Sequence, residues 1–241
     1  MSKSIDQAQL SLESLMRPRG RGGKRAGAGR KRTRTTVAHT TREPFSAREP
    51  LHVTLRLVQG IELRTPALLA SVHEVIAGSN NTAFRVVEFN CESNHMHLMV
   101  EADGRVSLAR GIQRFKSCLA RALNRALGRS GAVFGDRYHT HVLRTPREVR
   151  HALRYIINNA RHHAAQHGRS LDARWFDPFS SAPWFDGWAS PLSPYSSWTH
   201  ELTRRDRPTA RPTVWLLTVG WRRHGLIECA EVPGPVVRRR W

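Results

Sequence analysis

The chain has 241 residues with 39 Lys and Arg against 19 Asp and Glu, a formal net charge of +20 and a pI of about 11.6. That length holds one domain of ordinary size plus extensions, and that charge predicts attraction to polyanions, nucleic acid first among them. Cys91, Cys118 and Cys229 are widely spaced and form no CxxC pair, which argues against a zinc ribbon or a disulfide framework and for a reducing compartment. With no long apolar run and no charged-then-apolar leader pattern, the expectation is a protein of the cytoplasm, at the nucleoid, with no membrane partner.

Composition divides the chain into residues 1–49, 50–168 and 169–241. In the first part, residues 17–34 carry nine Lys or Arg and five Gly with no acid. Such a stretch cannot bury apolar surface and is expected to be a disordered basic arm. Within it, Arg17-Pro18-Arg19-Gly20-Arg21-Gly22 resembles an AT-hook core, with Gly22 where a second proline is usual. Arg19 and Arg21 are therefore candidate DNA contacts, the alternative being a basic tail attracted to phosphates without sequence preference.

The periodic patterns lie in residues 50–168. Leu51 to Val58 alternates, with Val53, Leu55 and Leu57 on one face and His52, Thr54 and Arg56 on the other, as a half-buried strand does. Thr65-Pro66 predicts a helix start, Leu68, Leu69, Val72, Val75 and Ile76 its buried stripe, and Gly78 its end. A second strand is predicted over 83–91, a short turn at Glu92-Ser93-Asn94, and a third strand over 95–101. Ser107 is expected to open a long helix with Leu108, Ile112, Phe115, Leu119 and Leu123 inward, closed by Gly128. Arg110, Arg114, Lys116, Arg121 and Arg125 leave the rest of that helix strongly basic. A fourth strand over 137–144 leads to Thr145-Pro146-Arg147-Glu148, a capping-box pattern at the head of a helix over 146–166.

This order, β-α-β-β-α-β plus a final helix, predicts an α+β, ferredoxin-like (βαββαβ) antiparallel sheet with helices on one face. The other face would be free to carry a site. From about residue 171 all seven tryptophans and most of the prolines appear. This Trp/Pro-rich extension either packs over the core with aromatic anchors or presents indoles on which single-stranded bases stack. Val214 to Leu226 is expected to include a short helix ending near Gly225.

The chemistry gathers in the third strand. His95 and His97, separated by one apolar residue, project from one face of a strand while Met96, Leu98 and Val100 project from the other. Two imidazoles on one rigid strand face are most of a small metal site. On the helix, Val149, Leu153, Ile156, Ile157 and Ala160 form a buried stripe, and Tyr155 and Asn159 lie one above the other on its flank, with His151 and His162 nearby. Docked on the sheet, that flank would bring a phenolic nucleophile and an amide oxygen to the imidazoles. Imidazole plus amide suits Mn²⁺, and Mg²⁺ less well. Tyr138 and Tyr195, the other tyrosines, have no amide four residues on.

Three stretches carry a resemblance: Ser93-Asn94-His95-Met96-His97-Leu98-Met99-Val100-Glu101, Val133-Phe134-Gly135-Asp136-Arg137-Tyr138-His139, and Tyr155-Ile156-Ile157-Asn158-Asn159-Ala160. In these, residues 50–168 resemble the single-tyrosine HUH transposases, in particular the REP-associated tyrosine transposase branch. The resemblance implies a transposase that cuts and rejoins single-stranded DNA at palindromic hairpins. Tyr155 would be the nucleophile, His95, His97 and Asn159 the ligands of a divalent metal (Mg²⁺ or Mn²⁺), and a 5′-phosphotyrosine the intermediate. Ala160 stands where the branch usually has proline. Arg114, Lys116 and Arg137 are candidate phosphate contacts. The rival reading is a non-catalytic nucleic-acid-binding module, an RNA-binding domain or a domesticated transposase. Against it, the third strand offers Met96, Leu98 and Met99 where stacking aromatics would be needed. A tyrosine helix docked on its own sheet would make an active monomer; a swapped one would make a homodimer.

Overall fold

The computed structural model describes residues 43–234. Arg19, Arg21 and the AT-hook-like segment lie outside the described residues. Strand β1 (Leu51–Arg56) is followed by helix α1 (Pro66–Ser79), the hairpin β2 (Phe84–Cys91) and β3 (His95–Ala102), and helix α2 (Arg105–Ala126). Strand β4 (His139–Val142) and helices α3 (Pro146–Ile157) and α4 (Asn159–Gln166) complete the repeat and its addition. The sheet runs β2-β3-β1-β4 and is antiparallel throughout, the strand order of the ferredoxin-like fold. In the β1–β3 register Leu51 faces Val100 and Arg56 faces His95, so the imidazole strand lies at the centre of the sheet.

Alternation along the strands feeds two cores. Val53, Leu55, Met96, Leu98 and Val100 point to the first, where α1 and α2 close the sheet with Leu69, Val72, Ile112, Phe115 and Leu119, all buried. Fully burying each such side chain contributes roughly 1.5–3 kcal/mol, so this layer dominates the stability. Helix α2 comes so close to β2 that a Cβ on Gly111 would fall 2.2 Å from the Phe84 ring. The second core lies on the opposite face. Val87 and Met99 meet Val149, Leu153, Ile156 and Ile157 of α3, and the C-terminal segment adds Phe176, Leu217 and Trp221.

Several expectations change here. The opposite sheet face is not left free: α3 and the C-terminal segment cover much of it, because the apolar stripe of α3 has no other surface to bury against. Helix α2 starts after Gly104, ahead of Ser107. Helix α1 runs through Gly78 to Ser79, and Thr65 takes the N-cap position without a side-chain cap bond. The capping box at Thr145 and Glu148 is present as expected.

The single helix expected over 146–166 is two. It breaks at Asn158 (φ −105°, ψ 22°), whose side-chain Nδ2 donates to the carbonyls of Glu228 (3.2 Å) and Glu231 (2.9 Å). Ala160, expected on the buried stripe, is half-buried beyond that break.

The Trp/Pro-rich segment is held by buried polar anchors. Arg64 makes a bidentate pair with Asp177, Arg207 reaches Glu88 at 2.8 Å, and Glu101 accepts from the backbone N–H groups of Thr213 and Val214. Trp221 is fully buried and donates its indole N–H to the Leu217 carbonyl. Among the described residues the packing alternative therefore holds for all of these tryptophans but Trp215, which is about half exposed; Trp241 lies outside the described residues. The helix expected within 214–226 is a short α-helix (Trp215–Thr218) followed by a 3-10 turn (Gly220–His224), and Gly225, at φ +86°, ends it. No helix among the described residues is long and apolar enough to cross a membrane.

Candidate active site

His95 and His97 stand on the β3 face turned toward α3, with their Nε2 atoms 3.0 Å apart. The His95 Nδ1 lies 2.8 Å from Asn94 Oδ1, an atom that only accepts, so the ring proton of His95 sits on Nδ1 and its Nε2 offers a lone pair. His97 is 5% exposed, and its Nδ1 lies 3.0 Å from His52 Nε2 and 3.3 Å from Thr54 Oγ1. Both partners come from β1, where Thr54 sits directly opposite His97 in the register.

Helix α3 delivers the tyrosine. Burial of Val149, Leu153, Ile156 and Ile157 turns the flank bearing Tyr155 to the imidazoles. The Tyr155 ring meets His97 edge-on at 5.2 Å between centroids, His52 at 5.9 Å and His162 at 5.8 Å. One turn on, Asn159 is fully buried, and neither its Oδ1 nor its Nδ2 has a hydrogen-bond partner. One further turn brings His163, close enough to His95 and His97 to disfavour their protonation, with its Nε2 4.0 Å from Glu92 Oε2. Asn159 follows the break at Asn158 and opens α4, its amide buried without a partner.

The electrostatics favour neutral rings. Burial, reinforced by His52 and His95, holds the His97 pKa well below the usual imidazole value. Burial, with His141 and His139 adding repulsion, pushes His52 down to about 4, and burial likewise lowers His95. Neutral imidazole is the form that ligates a metal. Among the described residues no three His, Cys, Asp or Glu side chains group as a metal site; the set is two imidazoles plus one amide. It nonetheless fits a divalent cation. Two Nε2 atoms converge, one of them fixed as a lone pair, and the buried amide of Asn159, four residues after Tyr155, has no partner, which is costly unless something satisfies it.

His95, His97 and Tyr155 are brought together, and the buried, unpartnered amide of Asn159 lies four residues beyond the tyrosine. His162 joins them, but His151 does not: it is exposed among Arg147, Arg150, Arg154 and His224. Arg114, Lys116 and Arg137 lie apart. Arg114 and Lys116 are on α2, across the sheet from the imidazoles; the Lys116 ammonium already donates to the Asp136 carbonyl and sits over the Phe134 ring. Arg137 and Lys116 line a hollow of about 370 Å³ that adjoins a groove of about 770 Å³, where Arg137 is joined by Arg105 and Arg110. His52 lies on the expected face of β1, but its contact with His97 was not foreseen, since cross-strand partners cannot be read from one strand. Sequence reasoning missed His163 and Glu92 as well.

Fold and site together define a ferredoxin-like domain with an imidazole pair at its sheet centre and a helix-borne tyrosine against it. Residues 56–159 match the family model described as transposase, IS200-like. Among solved structures, that of a REP-associated tyrosine transposase bound to a REP hairpin is similar at 18% sequence identity, with a TM-score of 0.45, covering 67% of this chain and 96% of that one. No curated protein matches.

Proposed function

We propose that this transposase domain cuts and rejoins single-stranded DNA through a covalent tyrosyl intermediate, with Tyr155 as the nucleophile. The observation that carries the reading is the placement of the Tyr155 ring edge-on to His97 at 5.2 Å, one turn from the unpartnered amide of Asn159. His95, His97 and Asn159 would hold a divalent metal, Mg²⁺ or Mn²⁺, and leave room for a phosphate oxygen. When bound, the metal polarises the phosphodiester and offsets charge in its transition state.

The chain's own residues do the rest. The Tyr155 oxygen bonds to phosphorus while the bond from phosphorus to the 3′ oxygen breaks, and the phenol proton passes through water to that leaving oxygen. That oxygen leaves as a 3′-hydroxyl once protonated, and the 5′ phosphate stays on Tyr155. Attack by a 3′-hydroxyl reverses the exchange and rejoins the strand; hydrolysis by water would make the break permanent. The core around α3 keeps the phenol positioned and limits water on one side.

DNA is held elsewhere. Arg105, Arg110 and Arg137 in the groove between α2 and β4, with Arg114 and Lys116 beside it, supply phosphate contacts, and the arginines Arg19 and Arg21 of the basic arm add others. The hairpin form of the substrate follows from the resemblance of the Ser93–Glu101 and Tyr155–Ala160 stretches. Incubating 5′- and 3′-labelled hairpin and linear single strands with protein and either Mg²⁺ or Mn²⁺ tests the proposal. A denaturing gel should show the DNA 5′ end attached to the peptide containing Tyr155 and a free 3′-hydroxyl on the other fragment; an adduct at Tyr138 or Tyr195, or none in either metal, overturns it.

A further inference from the structure

We infer that His52 is a positioning residue for His97, accepting the proton that His97 must carry on Nδ1 when its Nε2 serves as a metal ligand. The inference rests on the metal-site reading proposed above and extends it to a strand that contributes no ligand. An imidazole has one proton in its neutral form. If His97 offers Nε2 to a cation, that proton is on Nδ1, and a donor so thoroughly buried needs an acceptor. The nearest is His52 Nε2 at 3.0 Å, with Thr54 Oγ1 second at 3.3 Å. Accepting there places the proton of His52 on its own Nδ1.

Metal-bound histidines generally donate their second N–H to a fixed partner, which orients the ring and raises its basicity. For His95 that partner is Asn94 Oδ1 at 2.8 Å. His97 has no carboxylate or carbonyl in this role, and the His52 imidazole takes it. The strand register explains why: β1 and β3 are antiparallel, Thr54 lies opposite His97 and His52 opposite Met99, so His52 is the diagonal neighbour of His97 on the same face. The same ring meets the edge of Tyr155 at 5.9 Å, so it spans the space between ligand and nucleophile. A single side chain thus orients the ligand and walls the nucleophile.

The test is Mn²⁺ binding by isothermal titration calorimetry on the full chain without DNA, for wild type, His52→Leu, His52→Gln, His52→Asn and His95→Ala. Leu fills the space but cannot accept; the Gln amide oxygen reaches about where Nε2 stands, and the Asn oxygen falls short. Leu and Asn should each weaken Mn²⁺ roughly 10-fold or more, and Gln should restore it to within about threefold. Co²⁺ absorption bands should shift in Leu and return in Gln. Leu binding as wild type, or Gln failing as badly as Leu and Asn, overturns the positioning role while leaving the metal site standing. If wild type binds Mn²⁺ no better than His95→Ala, the metal site itself falls and this inference with it. Should Leu fail to fold, the Asn and Gln pair decides the matter alone.

Discussion

The Tyr155 ring stands edge-on to the His97 imidazole, one on a helix and the other on the central strand of the sheet it packs against, with 5.2 Å between ring centroids. Replacing Tyr155 with Phe removes one oxygen and leaves this ring contact in place. Tyr155→Phe should therefore keep the melting temperature and DNA affinity of the wild type while abolishing the covalent adduct, nicking and rejoining together. A gel-shift titration beside a denaturing cleavage gel checks both halves; residual cleavage in the Phe variant would mean another nucleophile.

His97→Ala should leave DNA affinity within a few-fold of wild type, because phosphate contacts from the many Lys and Arg dominate binding. Cleavage in Mg²⁺ or Mn²⁺ should be lost. Wild-type affinity should instead fall steeply as salt rises, which a series of binding isotherms at increasing ionic strength will show.

Glu231 ties the tyrosine helix down. It accepts from Arg150 (2.9 and 3.0 Å) and Arg154 (2.8 Å), all three side chains largely buried, next to the Asn158 bond at the helix break. Glu231→Ala leaves two guanidinium groups short of a partner and should cost about 1–3 kcal/mol. Thermal unfolding should show a fall of several degrees, and single-turnover cleavage should slow as α3 loosens, with DNA affinity unchanged.

His73 is half-buried against Phe89 and Trp184 with its Nε2 unpartnered, and burial lowers its pKa from 6.5 to about 4. Between those values the unfolded chain binds a proton that the folded one refuses. Stability from this residue is thus intact above pH 6.5 and is lost as pH falls toward 4. A shift of that size corresponds to about 3 kcal/mol, reduced to about 1–2 kcal/mol by the ring's partial exposure. Glu88 and Glu92, both raised to about 7 by burial, push the opposite way over the same range. A comparison with His73→Phe isolates the histidine: the variant should lose less stability than wild type between pH 6.5 and 4 in denaturant melts.

Deleting residues 17–34 removes nine positive charges. Affinity for all DNA should drop about equally, and the dependence of log affinity on log salt should become shallower. Loss of discrimination between AT-rich and GC-rich duplex would instead show that Arg19 and Arg21 read the minor groove.

Local patterns in the sequence determined most of the elements and the residues proposed for the site. Alternation in β1 and β3, the α3 stripe, the Thr145 capping box and the His95–His97 spacing are local patterns with periods of two or about 3.6 residues, and any stretch that buries one face must display them. Only the tertiary structure decided the rest. The break at Asn158 depends on carbonyls of Glu228 and Glu231, the closing of the second sheet face depends on pairs such as Arg207 with Glu88, and the place of His52 depends on which strand lies beside β3. Each is a contact between residues far apart in the chain. No local period records such a contact, because its free energy is realised only after the segments between have folded.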